Sequence, residues 1–305
     1  MAKLHAKVIV NPAAGANSTR RKWPDIQSLL RRSGLSFDYQ FTESPGHGIE
    51  LAKTAASDGY RYLVAVGGDG TIHEVANGIL QTNNAQETSL GIICTGTGSD
   101  LSRTIGVSHD YARSLSSLTN PRRLTIDIGS VKYQKQGQTH QRYFVNYAGI
   151  GIDAEVVQAT ERFPKFFGGT IPYLTGLVFT FIGYRNKPVD LRIGDRAVEK
   201  TRVLSVVVAN GRYFGGGMQI APEAKPDDSL FDMVIVGDIG KFDLIKTMPR
   251  VYKGTHLTHP KVRLEKDTCI TIQSSRKFLL HADGELLGEG PASFSILPKA
   301  LCLAV

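Results

Sequence analysis

Two hydrophobic periods take turns along the first third of the chain. Short apolar runs, LHAKVIV (4–10), LSFDYQF (35–41), YLVAV (62–66) and LGIIC (90–94), have the length and residue types of strands. Between them, apolar residues recur every three or four positions. Trp23, Ile26, Leu29 and Leu30 form such a stripe in STRRKWPDIQSLLRRSG (18–34), a helix that Ser18 or Thr19 can cap and Gly34 can end. Residues 47–58 predict a second helix, closed by Gly59. Ile72, Val75, Ala76, Ile79 and Leu80 predict a third, opening at Thr71. Strands and helices in alternation, with short connections, imply a parallel sheet with helices on its faces.

The pattern changes near residue 122. RRLTIDIGSVKY and QRYFVNYAGIGI read as long strands joined by the polar turn QKQGQTH. From residue 187 strands dominate: 187–193, 198–209, 230–236, 261–264, 269–273, 277–282 and 292–297, separated by turn residues. That spacing suggests an antiparallel sandwich or barrel. Helical segments interrupt at about 155–184 and 240–253. The expected domains are 1–124, α/β, and 125–297, β-rich. The last strand, LCLAV, is free to return to the first domain, which would take 298–305 with it.

Composition narrows the class. With 305 residues and 41% hydrophobic content the chain can build a real core, and 21% charged residues argue against general disorder. A net charge of +8 favours an anionic partner such as phosphate, nucleic acid or an acidic membrane surface. Cys94, Cys269 and Cys302 sit in apolar runs without a CxxC pair, which disfavours a disulfide scaffold or a zinc site. The opening MAKLHAKVIVNP has too short an apolar run for a signal peptide. The longest apolar stretch, 171–183, is shorter than the roughly 20 residues a bilayer crossing needs. The expected location is cytoplasmic, with peripheral contact to a membrane.

Candidate chemistry starts where YLVAV stops at Gly67-Gly68-Asp69-Gly70-Thr71. Parallel sheets place ligands beyond the carboxyl ends of their strands. Glycines there let backbone approach a phosphate, and the N–H groups of a following helix favour an anion. Asp69 is repulsive in such a loop unless a cation stands between, and magnesium bridges carboxylate and phosphate oxygens. No GK[ST] follows, so the loop is not a Walker A motif, and a plain glycine turn capped by Asp69 is the alternative. GIICTGTGSDL repeats the arrangement, a strand, a Gly/Thr turn, then Asp100 before a helix. Two such loops on neighbouring strands would make one cradle.

GGDGT (67–71) with NPAAG (11–15) resembles the diacylglycerol kinase catalytic family, which includes sphingosine kinases and bacterial lipid kinases. GTGSD (96–100), GIGID (149–153), NGRYFGGGMQIAPEAKPDDSLFD (210–232) and DGE (283–285) extend the resemblance in order over nearly the whole chain. It implies a Rossmann-like, NAD-kinase-like α/β domain joined to a β-rich sandwich, with the site in the cleft between. It also implies transfer of the γ-phosphoryl group of ATP to a lipid hydroxyl, most simply that of diacylglycerol. Asn11, Thr42, Gly67, Gly68, Asp69, Gly70, Thr71 and Thr97 would hold the nucleotide. Glu285 or Asp283 would be the base, with Glu285 favoured as acceptor of the hydroxyl proton and Asp283 beside it. Asp69, Asp100 and Asp127 would form an acidic cluster organising catalytic magnesium, and Asp228 with the carbonyls of Lys225 and Leu230 would bind a second, structural magnesium.

Two positions depart from the family pattern. Ser99 stands where Asn is usual and Ser229 where Gly is usual, and serine is a strained choice if position 229 needs positive φ. His281, near Asp283, reads as structural. Residues 160–184, rich in Phe, Tyr, Leu and Ile and flanked by Arg162 and Lys165, either line an acyl pocket, touch a membrane, or cover the sheet as a core helix. The expected partners are ATP and a lipid at a membrane surface, with a homodimer left open and no nucleic acid. An NAD kinase, which shares GGDGT, and a lipid- or nucleotide-binding protein without turnover are the alternatives.

Overall fold

The computed structural model of the chain describes residues 5–96, 98–108, 110–119, 121–162 and 183–305. The chain divides into two compact units, Met1–Ile128 with Pro298–Val305, and Gly129–Leu297.

The first unit begins with β1 (His5–Val10), α1 (Ala14–Arg32), β2 (Ser36–Phe41), α2 (His47–Ser57), β3 (Tyr62–Gly67), α3 (Asp69–Leu80) and β4 (Ser89–Cys94). Two shorter helices follow, α4 (Asp100–Ile105) and α5 (Tyr111–Thr119). Its strands lie in the order β2-β1-β3-β4, every pair parallel. The edge beyond β4 is completed by the end of the chain, where Cys302, Leu303 and Ala304 pair in parallel with Ser89, Leu90 and Gly91. Val8, Val64, Val66 and Ile93 of the sheet pack on Trp23, Ile26 and Leu30 of α1 and on Leu115 and Leu118 of α5. Each such fully buried side chain contributes about 1.5–3 kcal/mol relative to exposure. The α1 stripe read from the sequence is the face that this core takes up.

Strand order decides where the site lies. The chain leaves β1 for β2 on one side, then crosses back to β3 on the other. Connections diverge at that reversal and leave a crevice at the carboxyl ends of β1 and β3. Asn11, Thr42, Gly67 and Thr95 follow the last residues of β1, β2, β3 and β4, or end them, so parallel pairing delivers all four to one edge.

The second unit is antiparallel and β-rich. It takes the later part of β5 (Arg123–Lys135), then β6 (Gln138–Phe144), β7 (Tyr147–Gly151), α6 (Ile152–Arg162) and β8 (Lys187–Ile193). After β9 (Glu199–Val203), β10 (Ser205–Ala209) and β11 (Phe231–Val236) comes α7 (Lys241–Val251). The last strands are β12 (Val262–Asp267), β13 (Cys269–Gln273), β14 (Leu279–Ala282) and the long β15 (Glu285–Ala304). One path runs β12-β11-β10-β7-β14-β15, and β13, β8 and β9 branch from β15. Phe144, stacked on Phe231 and edge-on to Phe294, centres its core. Gly129 is required beside it, because a methyl there would lie 2.0 Å from the Phe144 ring.

One expectation is corrected and another is described only in part. The run 198–209 is not one strand: Leu204 donates to Val236 and Gly237, and the chain switches partners there, β9 pairing with β8 and β10 with β7 and β11. A uniformly apolar run does not show which neighbours its two halves will find. The helix expected over 155–184 is described as α6 to Arg162, and 163–182 lie outside the described residues. Among the described residues, no helix is long and apolar enough to cross a membrane.

Candidate active site

The loops after β1, β3 and β4 are stitched to one another. Asn11 N–H donates to Val66 O at 2.9 Å, and its side-chain Nδ2 donates to Thr71 Oγ1 at 3.0 Å. Thr95 N–H donates to Gly67 O at 2.8 Å, and Thr19 and Thr95 share a hydroxyl contact of 2.5 Å. Ser18 Oγ also donates to the Thr95 carbonyl. Ser18 and Thr19 therefore do not cap α1, as the sequence suggested, but tie it to the second loop. Gly15, Ala16 and Asn17 are all left-handed, with φ of 59°, 53° and 66°, so the regular helix begins only after them.

Gly68 and Gly96 let the GGDGT and GTGSD loops touch backbone to backbone, since a methyl on Gly96 would sit 2.6 Å from the Gly68 Cα. Within the first loop, a methyl on Gly67 would sit 2.2 Å from Thr71 Oγ1. A methyl on Gly70 would meet nothing within 4 Å, so the start of α3 faces open space there. Thr42 is buried, held by its N–H to the Val10 carbonyl. Thr97 lies outside the described residues.

Asp69 answers its own paradox. Its carboxylate turns onto the start of α4, accepting from Asp100 N–H at 3.1 Å and Leu101 N–H at 3.3 Å. Charge at a helix start is stabilised by unpaired N–H groups and the helix dipole. The Asp69 carboxylate is therefore stabilised by protein donors. Glu74, one turn along α3, does the same for α2, accepting from Gly46 and Gly48 N–H at 2.9 Å each. Nothing in the sequence marked Glu74 out.

Among the described residues, no three His, Cys, Asp or Glu side chains converge as ready-made metal ligands. Asp69, Asp100 and Asp127 each have a protein partner. Asp100 pairs with Arg103 at 2.9 Å, and Arg103 also donates to the Gly98 carbonyl. Asp127 is fully buried rather than solvent-facing, and accepts from Lys299 N–H at 2.7 Å. Ser99 adopts φ 52°, ψ 41°, the left-handed region in which the Asn it replaces is better tolerated.

In the second unit, Ala282 pairs with Glu285 across a two-residue turn, Asp283 (φ 46°) and Gly284 (φ 82°). Positive φ at both central residues is the signature of the tight hairpin that an Asp-Gly pair favours. Asp283 does more than turn. Its carboxylate accepts three backbone N–H groups, Val145 at 2.7 Å, Asn146 at 3.0 Å and Tyr147 at 2.9 Å. It bolts the turn to the β6–β7 link, two residues from Glu285. Glu285 meets Arg142 of β6, with Nε 3.0 Å from Oε2 and Nη2 2.6 Å from the same oxygen. Arg142 carried no signal in the sequence, since only the β5–β6 register brings it here.

Residues 5–131 match the diacylglycerol kinase catalytic domain, and residues 146–305 match the YegS C-terminal NAD kinase beta sandwich-like domain. The diacylglycerol kinase of Staphylococcus haemolyticus is 32% identical over 96% of this chain and 86% of its own length. That of Staphylococcus aureus MRSA252 is equally similar, over 90% of its length. This chain belongs to the diacylglycerol kinase catalytic family. It is a lipid kinase. A diacylglycerol kinase structure from Bacillus anthracis shares the fold at a TM-score of 0.74 with 22% identity, covering 100% of this chain and 97% of that one. An NAD kinase from Archaeoglobus fulgidus, solved with ATP, aligns at 0.53 with 13% identity over 98% of this chain and 93% of its own.

This kinase has an apolar cavity of about 280 Å³ within its second unit. Val156, Phe214, Met218 and Met248 are among its walls, and Asp153, His281 and Gly284 supply a polar edge. His281 is fully buried and its Nε2–H donates to Asp153 Oδ2 at 3.0 Å, while its Nδ1 has no hydrogen-bond partner. Because Gly284 is on the wall, the cavity reaches the turn that carries Glu285. GIGID contained the signal for Asp153, but not its use.

The loop of Lys225, Asp228 and Leu230 keeps an all-oxygen donor set of the kind magnesium takes. Asp228 Oδ1 accepts from Leu230 N–H at 3.1 Å, and Ser229 has φ 64°, the left-handed conformation that favours glycine. Asp232 follows, buried, with Lys266 Nζ 3.1 Å from its Oδ1 as counter-charge. Burial pushes the Asp232 carboxyl above its usual range against the pull of Lys266, and Asp228 and Glu223 add to the rise. If this loop takes a cation, Asp228 with the carbonyls of Lys225 and Leu230 would hold it; among the described residues no third acidic, His or Cys side chain converges there.

Proposed function

We propose that the protein transfers the γ-phosphoryl group of ATP to the free hydroxyl of diacylglycerol, forming phosphatidic acid. The observation that carries this reading is the apolar cavity whose wall includes Gly284, which offers acyl chains a place next to the Asp-Gly-Glu turn. Asn11, Thr42, Gly67 to Thr71 and Thr97 would bind the nucleotide. Here Asp69 works by fixing α4 and the second loop against the first.

In the transfer, the lipid oxygen forms a bond to the γ-phosphorus as the bond from that phosphorus to the β,γ-bridging oxygen breaks, releasing ADP. The hydroxyl proton passes to Glu285. An alcohol is a poor nucleophile, so a carboxylate within reach of its proton speeds the step. Arg142 aims that carboxylate and must yield part of its hold for Glu285 to accept the proton. Magnesium, arriving with the nucleotide, would neutralise phosphate charge.

The test is label transfer from ATP, marked on its γ-phosphate, to diacylglycerol, monoacylglycerol, sphingosine and phosphatidylglycerol in mixed micelles, with NAD as a further acceptor. Label in phosphatidic acid is expected, dependent on magnesium. Transfer to NAD alone, or to none of the lipids, overturns the reading.

A further inference from the structure

Helix α7 has two apolar faces. Leu244, Thr247, Met248 and Val251 point inward and line the cavity. On the opposite side Phe242 is 82% exposed, Ile245 65% and Tyr252, just past the helix end, 51%. They are the three most exposed large apolar side chains among the described residues. Their spacing of three and seven residues places them in one stripe. Scattered surface apolar residues need no explanation, but a stripe on one helix does. Lys241, Lys246 and Lys253 border it, Arg250 lies further round, and Asp243 is the one acid between 240 and 253.

We infer that the outer face of α7 is a docking surface for a membrane bearing anionic lipid. Aromatic and aliphatic side chains enter the boundary between headgroups and acyl chains, and the lysines meet lipid phosphate. Charge favours this occupant, since the patch and the whole chain, at +8, are basic. Area argues against a protein partner. A helix of 11 residues offers a fraction of the roughly 800 Å² per side that a standard protein interface buries. Because one helix carries both faces, docking would bring the cavity wall to the bilayer. That consequence rests on the lipid-kinase reading above, whereas the surface itself does not.

Vesicle sedimentation of the full chain tests it, using phosphatidylcholine vesicles with and without phosphatidylglycerol. Binding is expected on the anionic vesicles and should weaken as salt is raised. Phe242→Ser with Ile245→Ser should lower the partition coefficient by about tenfold or more. Lys246→Gln with Lys253→Gln should lower it by about fivefold per charge removed. All four positions are exposed, so thermal melting should be unchanged. Partition of both variants equal to the wild type, or binding indifferent to phosphatidylglycerol, overturns the inference. So does a shift of oligomeric state in the serine variant, which would make the stripe a contact between copies. A wild type that docks as described yet phosphorylates no lipid would remove the proposed reaction and leave this surface standing.

Discussion

Arg142 of β6 grips Glu285 of β15, its Nε 3.0 Å from Oε2 and its Nη2 reaching both carboxylate oxygens. A two-armed guanidinium contact fixes direction as well as charge, which a lysine cannot copy. Arg142→Gln is therefore expected to lower kcat by about ten- to a hundredfold, as misplaced groups typically do. The KM for ATP should stay within about twofold, and Arg142→Lys should recover only part of the loss. Steady-state kinetics with both substrates varied would check this. An unchanged kcat would mean that Arg142 does not aim Glu285.

Asp283 and Glu285 are two residues apart, yet they should fail differently. Replacing Asp283 by Ala strands three N–H donors that now share a carboxylate, at a cost of about 2–4 kcal/mol, since charge-assisted bonds are worth roughly 1.5–3 kcal/mol each and are not additive. Thermal melting should fall by several degrees. Glu285→Gln, half-exposed and outside that network, should melt with the wild type while losing turnover and keeping ATP binding. Equal melting of both variants would count against a positioning role for Asp283.

Asp69→Asn probes what that carboxylate faces. Its oxygens accept from two N–H groups at the start of α4, so the amide loses charge and one acceptor there. Stability should drop by about 1 kcal/mol, the usual worth of a helix cap. ATP affinity, measured by calorimetry, should fall by the same factor with and without magnesium. A loss seen only when magnesium is present would show that Asp69 answers to the cation instead.

His256 should make the second unit acid-sensitive. Its Nε2–H donates to Ile220 O at 3.0 Å, and burial lowers its pKa from 6.5, Arg250 lowering it further while the carbonyl bond opposes. A depressed folded pKa means that the unfolded chain takes up the proton first. Stability is thus full above pH 6.5 and is lost as pH falls from there toward the depressed value. Melting temperatures measured across that window should decline, and His256→Gln, which keeps a donor for Ile220, should flatten the decline. An equally steep curve in the variant would assign the titration to another group.

Much of the first unit was legible because its signals are local. Trp23, Ile26 and Leu30 share a helical face, and three apolar runs with Gly- or Asn-containing ends, with the alternating LSFDYQF between them, read as strands of a parallel sheet. The glycines in GGDGT and GTGSD marked loops where backbone can come close, and the structure brings Gly68 and Gly96 together there. Other features had no local mark. Arg142 is aimed by strand register, Glu74 by the approach of α2 to α3, and Asp127 by the N–H of Lys299 in β15, 172 residues later in the chain. The single run 198–209 looked uniform, and only its neighbours divided it.

The sequence alone determined an alternation of strands and helices giving way to strands, the glycine loops at their ends, and the ordered motifs of a lipid kinase family, because periodicity and steric freedom are properties of neighbouring residues. The tertiary structure alone decided what each carboxylate does. Asp69 serves a helix start, Asp283 a triplet of amides, Glu285 an arginine and Asp127 a backbone N–H. A carboxylate takes whichever donor or cation the fold brings within 3 Å or so, and that distance is set by pairing between segments far apart in the chain.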